Sequence, residues 1–194
     1  MGRLFSALLL VVLSPVLVAC ALAIALCDGL PILYGDRRVG RGGRYFVLWK
    51  FRTMRRVAGP RITAANDTRI TKPGAILRTY KLDELPQLWN VVRGDMNLVG
   101  PRPETPEFVD LNSPMWQEVL SVPPGITGAA SVACFHEASQ LAASSDPILF
   151  YRTHLLPEKL ARESAWLHTR TFTTDARLLW QTVKGILRAG SSRR

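Results

Sequence analysis

Two adjacent carboxylates, Asp83-Glu84, lie in the stretch KLDELPQLWN, Lys81 to Asn90, just ahead of Pro86. Taken alone, such a pair at a helix start satisfies free backbone amides and the helix dipole, and does nothing else. The surrounding residues point to phosphorus chemistry. Arg78 and Lys81 precede Asp83 closely, and Arg102 stands between two prolines in Gly100-Pro101-Arg102-Pro103. Flanking prolines stiffen the backbone, so the guanidinium loses less freedom when it grips a phosphate with both arms. Lys50 and Arg52 are two apart in a strand-like pattern and so are expected on one face. These cations suit a diphosphate. An Asp at a helix start near arginines stays ionised and can attack phosphorus, while its Glu neighbour can hold a divalent cation.

The elements that must position these groups follow from the pattern around them. Asp83 is expected to cap a helix with Pro86 in its first turn, Leu85, Leu88, Trp89 and Val92 on its apolar face, and Gly94 as its stop. Arg44 to Met54, dense in aromatic and β-branched residues, reads as a strand, paired in a hairpin with Pro31 to Tyr34 across a turn at Arg41-Gly42-Gly43. Val57 to Thr71 reads as a polar loop, Gly74 to Tyr80 as a short helix and Asp95 to Pro106 as a proline-stiffened loop. Helices are expected around Trp116 to Leu120, Glu137 to Ala143, Pro147 to His154 and Pro157 to His168. A last one, Thr174 to Leu187, places Leu178, Leu179, Thr182, Val183, Ile186 and Leu187 on one broad face, to cover the core or lie on anionic lipid. The class is α/β, mostly helical with a small β-hairpin: one compact domain over 30–190, a hydrophobic segment over 1–29 and a basic tail at 191–194.

Charge narrows the partner. The 194 residues carry a formal net charge of +10, with 47% hydrophobic and 21% charged residues. The basic excess is local: 15 Lys and Arg against five acids lie between Asp36 and Arg102, and no Lys or Arg lies from Glu104 to Glu137. A local patch reads as a site for a polyanion, whether phosphorylated substrate, anionic lipid or nucleic acid. Cys20, Cys27 and Cys134 give no disulfide framework, and His136, His154 and His168 form no zinc motif.

Leu4 to Cys27 contains no charge and as a helix would run ~36 Å, enough for a ~30 Å hydrocarbon core. Ser14-Pro15 sits near its middle, where proline removes a backbone donor and a serine hydroxyl can satisfy the freed carbonyl. Arg3 before the run and Arg37, Arg38, Arg41 and Arg44 after it place positive charge on both flanks. A bent, re-entrant helix satisfies the positive-inside rule at both ends, and a kinked single-pass anchor fits the same residues. A lipoprotein cleavage box, Leu17-Val18-Ala19-Cys20, offers a third reading, although the sequence stays apolar beyond the cysteine.

Lys50-Phe51-Arg52-Thr53-Met54, Leu77-Arg78, Leu82 to Leu88, Asn90-Val91-Val92, Gly94 to Glu104 and Pro124-Gly125-Ile126-Thr127-Gly128 resemble the bacterial sugar transferase family, the monotopic phosphoglycosyl transferases, over essentially the whole chain. The resemblance implies transfer of a sugar-1-phosphate from a UDP-sugar to polyprenyl (undecaprenyl) phosphate with release of UMP, the first membrane step of glycoconjugate or exopolysaccharide assembly. Asp83 matches the family nucleophile, which forms a covalent acyl-phosphate with the sugar phosphate, and Glu84 matches the partner that helps bind Mg2+. Arg78 and Arg102 match arginines near the phosphates, and Ser14-Pro15 matches the break in the re-entrant membrane helix. The implied setting is the bacterial inner membrane, against phospholipid, with the catalytic domain facing the cytoplasm, without nucleic acid and compatible with a homodimer.

The chain departs from the family downstream. Ser131 stands where many members carry Gln, and Phe135 or His136 falls where an Arg is expected, so His136 would have to be protonated to replace it. The competing class is a membrane-anchored basic protein that binds anionic lipid or nucleic acid without catalysis. Such binding would survive Asp83→Asn, because counterion release depends on the cations.

Overall fold

The computed structural model describes residues 2–57, 63, 67–134 and 137–191, with side chains described only as far as 188. His136, Phe135 and the tail at 192–194 therefore lie outside the described residues. The chain opens with two helices, α1 (Gly2–Val12) and α2 (Ser14–Asp28). They meet at a bend of 61°. The bend has a local cause. Pro15 lacks the N–H that would bond the Val11 carbonyl four residues back, and the Ser14 hydroxyl donates to that carbonyl instead, at 2.7 Å. Among the described residues no single helix is long and apolar enough to cross a membrane, but this bent pair passes the test of length and composition together. Leu4, Leu8, Val11, Val18, Leu22 and Leu26 are exposed along it, while Cys20 and Ile24 turn inward onto Phe51 and Leu77.

The hairpin forms from β1 (Leu33–Val39) and β2 (Tyr45–Phe51), antiparallel, with Tyr34 opposite Lys50 and Asp36 opposite Leu48. The turn falls at 41–43 as expected, but the first strand extends well beyond Tyr34. Its outer half, Gly35-Asp36-Arg37-Arg38, has poor strand propensity. It is carried by its partner's ladder and by Arg38, which donates to Asp36 from Nε at 2.8 Å. Helix α3 (Lys72–Thr79) follows, capped by Thr71, whose hydroxyl accepts from the Gly74 amide at 3.1 Å. A Cβ at Gly74 would collide with the Thr53 carbonyl, so glycine lets the helix start against the end of β2.

A 3-10 turn, Leu82–Glu84, then carries the carboxylates, and α4 (Gln87–Arg93) ends at Gly94 with φ +88°. The expected Asp83 cap does not form. The regular helix begins beyond Pro86, which stands at its N-cap, and Asp83 is left free of that duty. The expected loop at Asp95 to Pro106 contains a strand, β3 (Asn97–Val99). After α5 (Pro114–Val119) it pairs in parallel with β4 (Gly125–Thr127). The remaining elements are α6 (Ala129–Ala133), α7 (Glu137–Ala143), α8 (Pro147–Phe150), a π-helical turn Tyr151–Leu155, α9 (Leu156–Thr169) and α10 (Phe172–Ser191). The architecture is mostly helical, with the small hairpin and this parallel pair.

Two cores support the part of the chain beyond α2. Val39, Trp116, Leu120, Leu141, Tyr151, Leu155 and Leu156 form one, and Leu48, Val91 and Met96 form the other beneath α4. Each large apolar side chain buried there contributes ~1.5–3 kcal/mol relative to exposure. The broad face expected on α10 divides: Leu178, Thr182 and Ile186 are half-buried, and Thr182 meets Thr127 at 2.6 Å. Leu179, Trp180, Val183 and Leu187 stay exposed.

Candidate active site

The dyad is reached through a strained residue. Lys81 adopts φ 55°, in the left-handed region that costs a non-glycine residue about 1–2 kcal/mol. This turns the chain sharply from α3 into the 3-10 turn, so that Asp83 and Glu84 are both buried, at 7% and 9% exposure. Such strain persists where the surrounding fold over-determines it, which is typical of functional sites.

The two carboxylates occupy different environments. Arg102 donates from Nη2 to Glu84 Oε1 at 2.6 Å and from Nη1 to Oε2 at 3.2 Å. Burial raises the Glu84 pKa, but the charge and hydrogen bonds of Arg102, then Lys81 and Lys50, outweigh it and hold the carboxyl well below the usual carboxylate range. Glu84 in turn keeps the Arg102 guanidinium firmly charged. Asp83 Oδ1 is buried without a hydrogen-bond partner. Burial pushes the Asp83 carboxyl upward and the adjacent Glu84 charge adds to this, against Lys50, Arg78 and Lys81. A buried polar atom left without a partner costs about 1–3 kcal/mol, so this oxygen is held ready at the expense of stability.

The cations separate into two groups. Lys50 is half-buried, and its charge is felt at both carboxylates. Burial pushes its ammonium down to about 8, with Arg102 and Arg38 adding to the drop and Glu84 and Asp83 opposing it. Arg78 also acts on Asp83, and its Nη1 is buried without a partner. Arg52 goes elsewhere, contrary to the expectation that it faces the phosphates with Lys50. The strand ends at Phe51, and the Arg52 guanidinium donates to the carbonyls of Asp28 and Gly29 at 2.7 Å and of Leu30 at 3.0 Å. It serves the last carbonyls of α2, where helices leave acceptors unsatisfied.

The Pro-Gly-Ile-Thr-Gly motif acts through the backbone. Gly100 N–H donates to Thr127 O and Gly125 N–H to Pro101 O, both at 2.9 Å, clamping the loop that carries Arg102. A Cβ at Gly125 would fall on the Gly100 amide, so only glycine permits this approach. Ser131 lies in α6 with its hydroxyl buried and unpartnered. The structure brings Asp83, Glu84, Lys50, Arg78 and Arg102 together, and sends Arg52 to the end of α2.

Residues that the sequence did not single out support this loop from behind. Glu104 Oε1 accepts from Tyr151 OH at 2.5 Å and from Lys159 Nζ at 2.7 Å, all three buried. Arg38 donates to Pro103 O at 3.1 Å. Glu163 Oε1 accepts the Ala130 amide at 3.0 Å. Burial pushes Glu163 up to about 7, against the backbone amides of Ala130, Ala129 and Arg102. Only the proximity of Glu104 to Arg102 in Arg102-Pro103-Glu104 hinted at any of this, since Tyr151, Lys159 and Glu163 are remote in sequence.

The comparison with known proteins bears on what this arrangement is. The family described as bacterial sugar transferase matches residues 1–189. The chain belongs to the bacterial sugar transferase family. A UDP-glucose:undecaprenyl-phosphate glucose-1-phosphate transferase of Caulobacter vibrioides is 35% identical over 188 residues, 94% of this chain and 66% of its own length. An undecaprenyl-phosphate glucose phosphotransferase of Komagataeibacter xylinus is 37% identical over 189 residues, 92% of this chain and 34% of its own. A UDP-N-acetylgalactosamine-undecaprenyl-phosphate N-acetylgalactosaminephosphotransferase of Aeromonas hydrophila is 40% identical over 125 residues, 61% of this chain and 30% of its own. The chain thus spans about one third to two thirds of the length of these relatives. The sugar transferase match covers the bent helix pair, the dyad and the clamped loop alike.

Proposed function

We propose that this chain transfers a sugar-1-phosphate from a UDP-sugar to polyprenyl phosphate, through a covalent intermediate on Asp83, with release of UMP. The observation that carries this reading is the asymmetry of the dyad: one carboxylate held by Arg102, the other with a buried oxygen that has no hydrogen-bond partner. Asp83 attacks the phosphorus that bears the sugar, the bond to the UMP oxygen breaks, and UMP leaves with that oxygen. The polyprenyl phosphate oxygen then attacks the same phosphorus and the Asp83 carboxylate departs unchanged. Each step exchanges one phosphorus–oxygen bond for another and consumes no further reagent. Lys50, Arg78 and Arg102 offset charge at the diphosphate, the largest demand of phosphoryl transfer.

Among the described residues no group of three metal-ligating side chains exists. Mg2+ does not require one, since it commonly binds through one or two carboxylates together with substrate phosphates. Glu84 keeps lone pairs beyond those taken by Arg102 and fits this mode. Glu84 would hold Mg2+ against the diphosphate, and the ion would supply charge neutralisation there.

The bent helix pair with its exposed apolar face supports placement in one leaflet of the bacterial inner membrane, re-entrant, with the domain over 30–190 on the cytoplasmic side. A soluble nucleotide sugar and a lipid phosphate can then meet at the interface. The relatives named as undecaprenyl-phosphate sugar phosphotransferases support the substrate classes. The test is intact-protein mass after incubation with UDP-sugars and Mg2+ without lipid acceptor. A phospho-sugar adduct on Asp83, discharged by polyprenyl phosphate and absent in Asp83→Asn, is expected. Turnover at wild-type rate in Asp83→Asn would overturn the assignment.

A further inference from the structure

Seven buried side-chain atoms among the described residues have no hydrogen-bond partner, and three of them, Arg78 Nη1, Asp83 Oδ1 and Gln87 Nε2, come from one short stretch of chain. The proposed function uses the first two. It leaves Gln87 unexplained, although this side chain is 1% exposed, deeper than either carboxylate.

The backbone places Gln87 beside the nucleophile. Leu85 and Pro86 hold right-handed helical angles, and Leu88 N–H donates to Leu85 O at 3.0 Å. The chain therefore winds from the 3-10 turn into α4 without a break, and Gln87 follows Asp83 by one turn, on the same side. Asn90, three residues on, shows how a buried carboxamide behaves when its role is structural. Its Oδ1 accepts the Trp49 amide at 3.1 Å, and its Nδ2 donates to Val47 O at 2.7 Å and to Asp95 Oδ2 at 3.2 Å. Gln87 Nε2, equally buried, donates to nothing in the protein. Buried amide donors are almost always satisfied, so one left over next to an equally unsatisfied nucleophile calls for an acceptor from outside the chain. On this side of the turn the fitting acceptor is a phosphoryl oxygen.

We propose that Gln87 is a substrate-binding residue whose Nε2 donates to a non-bridging oxygen of the phosphoryl group that Asp83 attacks, during both displacements. The inference rests on the transferase reading above. A neutral donor orients the phosphorus for in-line attack without adding charge to a site that already holds several cations.

The experiment uses the whole chain in detergent with Mg2+ and a panel of UDP-glucose, UDP-galactose, UDP-N-acetylglucosamine and UDP-N-acetylgalactosamine. It follows single-turnover loading of Asp83 by intact mass. With the best sugar of the panel, Gln87→Leu is expected to slow loading and discharge about 100-fold, as loss of one preorganised donor does. Its melting temperature should not fall. Gln87→Glu, of the same shape, carries the test if the leucine variant fails to fold. Its carboxylate repels the phosphoryl group when ionised and donates when protonated, so its deficit relative to wild type should shrink about tenfold or more from pH 8 to pH 6. A structural role would give no such recovery. Loading at wild-type rate in either variant, or a deficit in Gln87→Glu that does not change with pH, overturns the Gln87 assignment alone. A wild-type protein that loads none of the four sugars overturns the transferase reading and this inference together.

Discussion

Arg102 and Glu84 lock together through both arms of the guanidinium, at 2.6 and 3.2 Å, at the position next to the proposed nucleophile. The lock makes Glu84 a fixed negative charge. It leaves Asp83, one residue earlier, as the carboxylate with a buried oxygen that has no hydrogen-bond partner. The two neighbours therefore respond in opposite directions to the same surroundings.

Breaking the lock should be costly in both stability and activity. Arg102→Ala leaves Glu84 buried without its partner, which is expected to destabilise the fold by about 3 kcal/mol, the low end for such pairs because Arg102 is partly exposed. Chemical denaturation measures it. A double-mutant cycle with Glu84→Gln should recover a coupling of about 1 kcal/mol or more, and additivity within error would remove the lock from the stability account.

Asp83→Asn should abolish loading and yet stabilise the protein. The Asp83 pKa is raised in the fold, so its favourable contribution belongs to low pH and is lost as pH rises through the folded value. Above that folded value the ionised group is a burden, and its removal is expected to add about 1 kcal/mol. Glu84 runs the other way: its lowered pKa gives stability above the ordinary Glu range that is lost on acidification. Urea midpoints of the wild type and Asp83→Asn should diverge as pH rises above the ordinary Asp range and converge again in acid.

Lys50 titrates at about 8 in the fold. Its folded pKa lies below the ordinary lysine value, so stability should rise as pH climbs from about 8 toward 10.5. Its service to a diphosphate should fade over the same range, visible as a rising KM for the UDP-sugar. Lys50→Arg, which stays charged, is expected to flatten that rise; an unchanged KM profile would place Lys50 outside substrate binding.

Lys159→Met removes the nearest cation from the buried Glu104 carboxylate behind the Arg102 loop. The expected cost is about 3 kcal/mol. For a chain of this length that corresponds to a fall in melting temperature of about 6–12 °C by calorimetry. Tyr151→Phe removes one hydrogen bond to a charged group and should cost less, about 1.5 kcal/mol.

The sequence displayed the dyad, Arg78, Arg102 and Lys50, because each lies in a short run whose chemistry is local. The Ser14-Pro15 bend was legible for the same reason, since one missing donor and one hydroxyl decide it. Arg52 was misplaced because strand alternation holds only while the strand lasts, and β2 stops one residue earlier. The parallel pairing of Asn97–Val99 with Gly125–Thr127 joins segments far apart in sequence, and both strands are too short to show a period of two. The support from Tyr151, Lys159 and Glu163 was hidden likewise, because burial and partner choice are set by how the π-helical turn and α9 pack. Gln87 carries no chemical signal in the sequence, because what sets it apart is its burial and its missing partner, which only the fold supplies.

Arg3 lies over Gly94 at the end of α4, where a Cβ would strike its guanidinium, and Arg52 grips the last carbonyls of α2. The bent pair thus packs on the body at one extremity, against the end of the dyad helix, and is hydrogen-bonded to it at the other, at the foot of the Lys50 strand. It cannot swing as a tether swings. With the apolar bend in a leaflet, as proposed, the carboxylates would ride at a constant height above it, and the protein would work as a gauge that sets how far a reacting phosphate must stand proud of that surface.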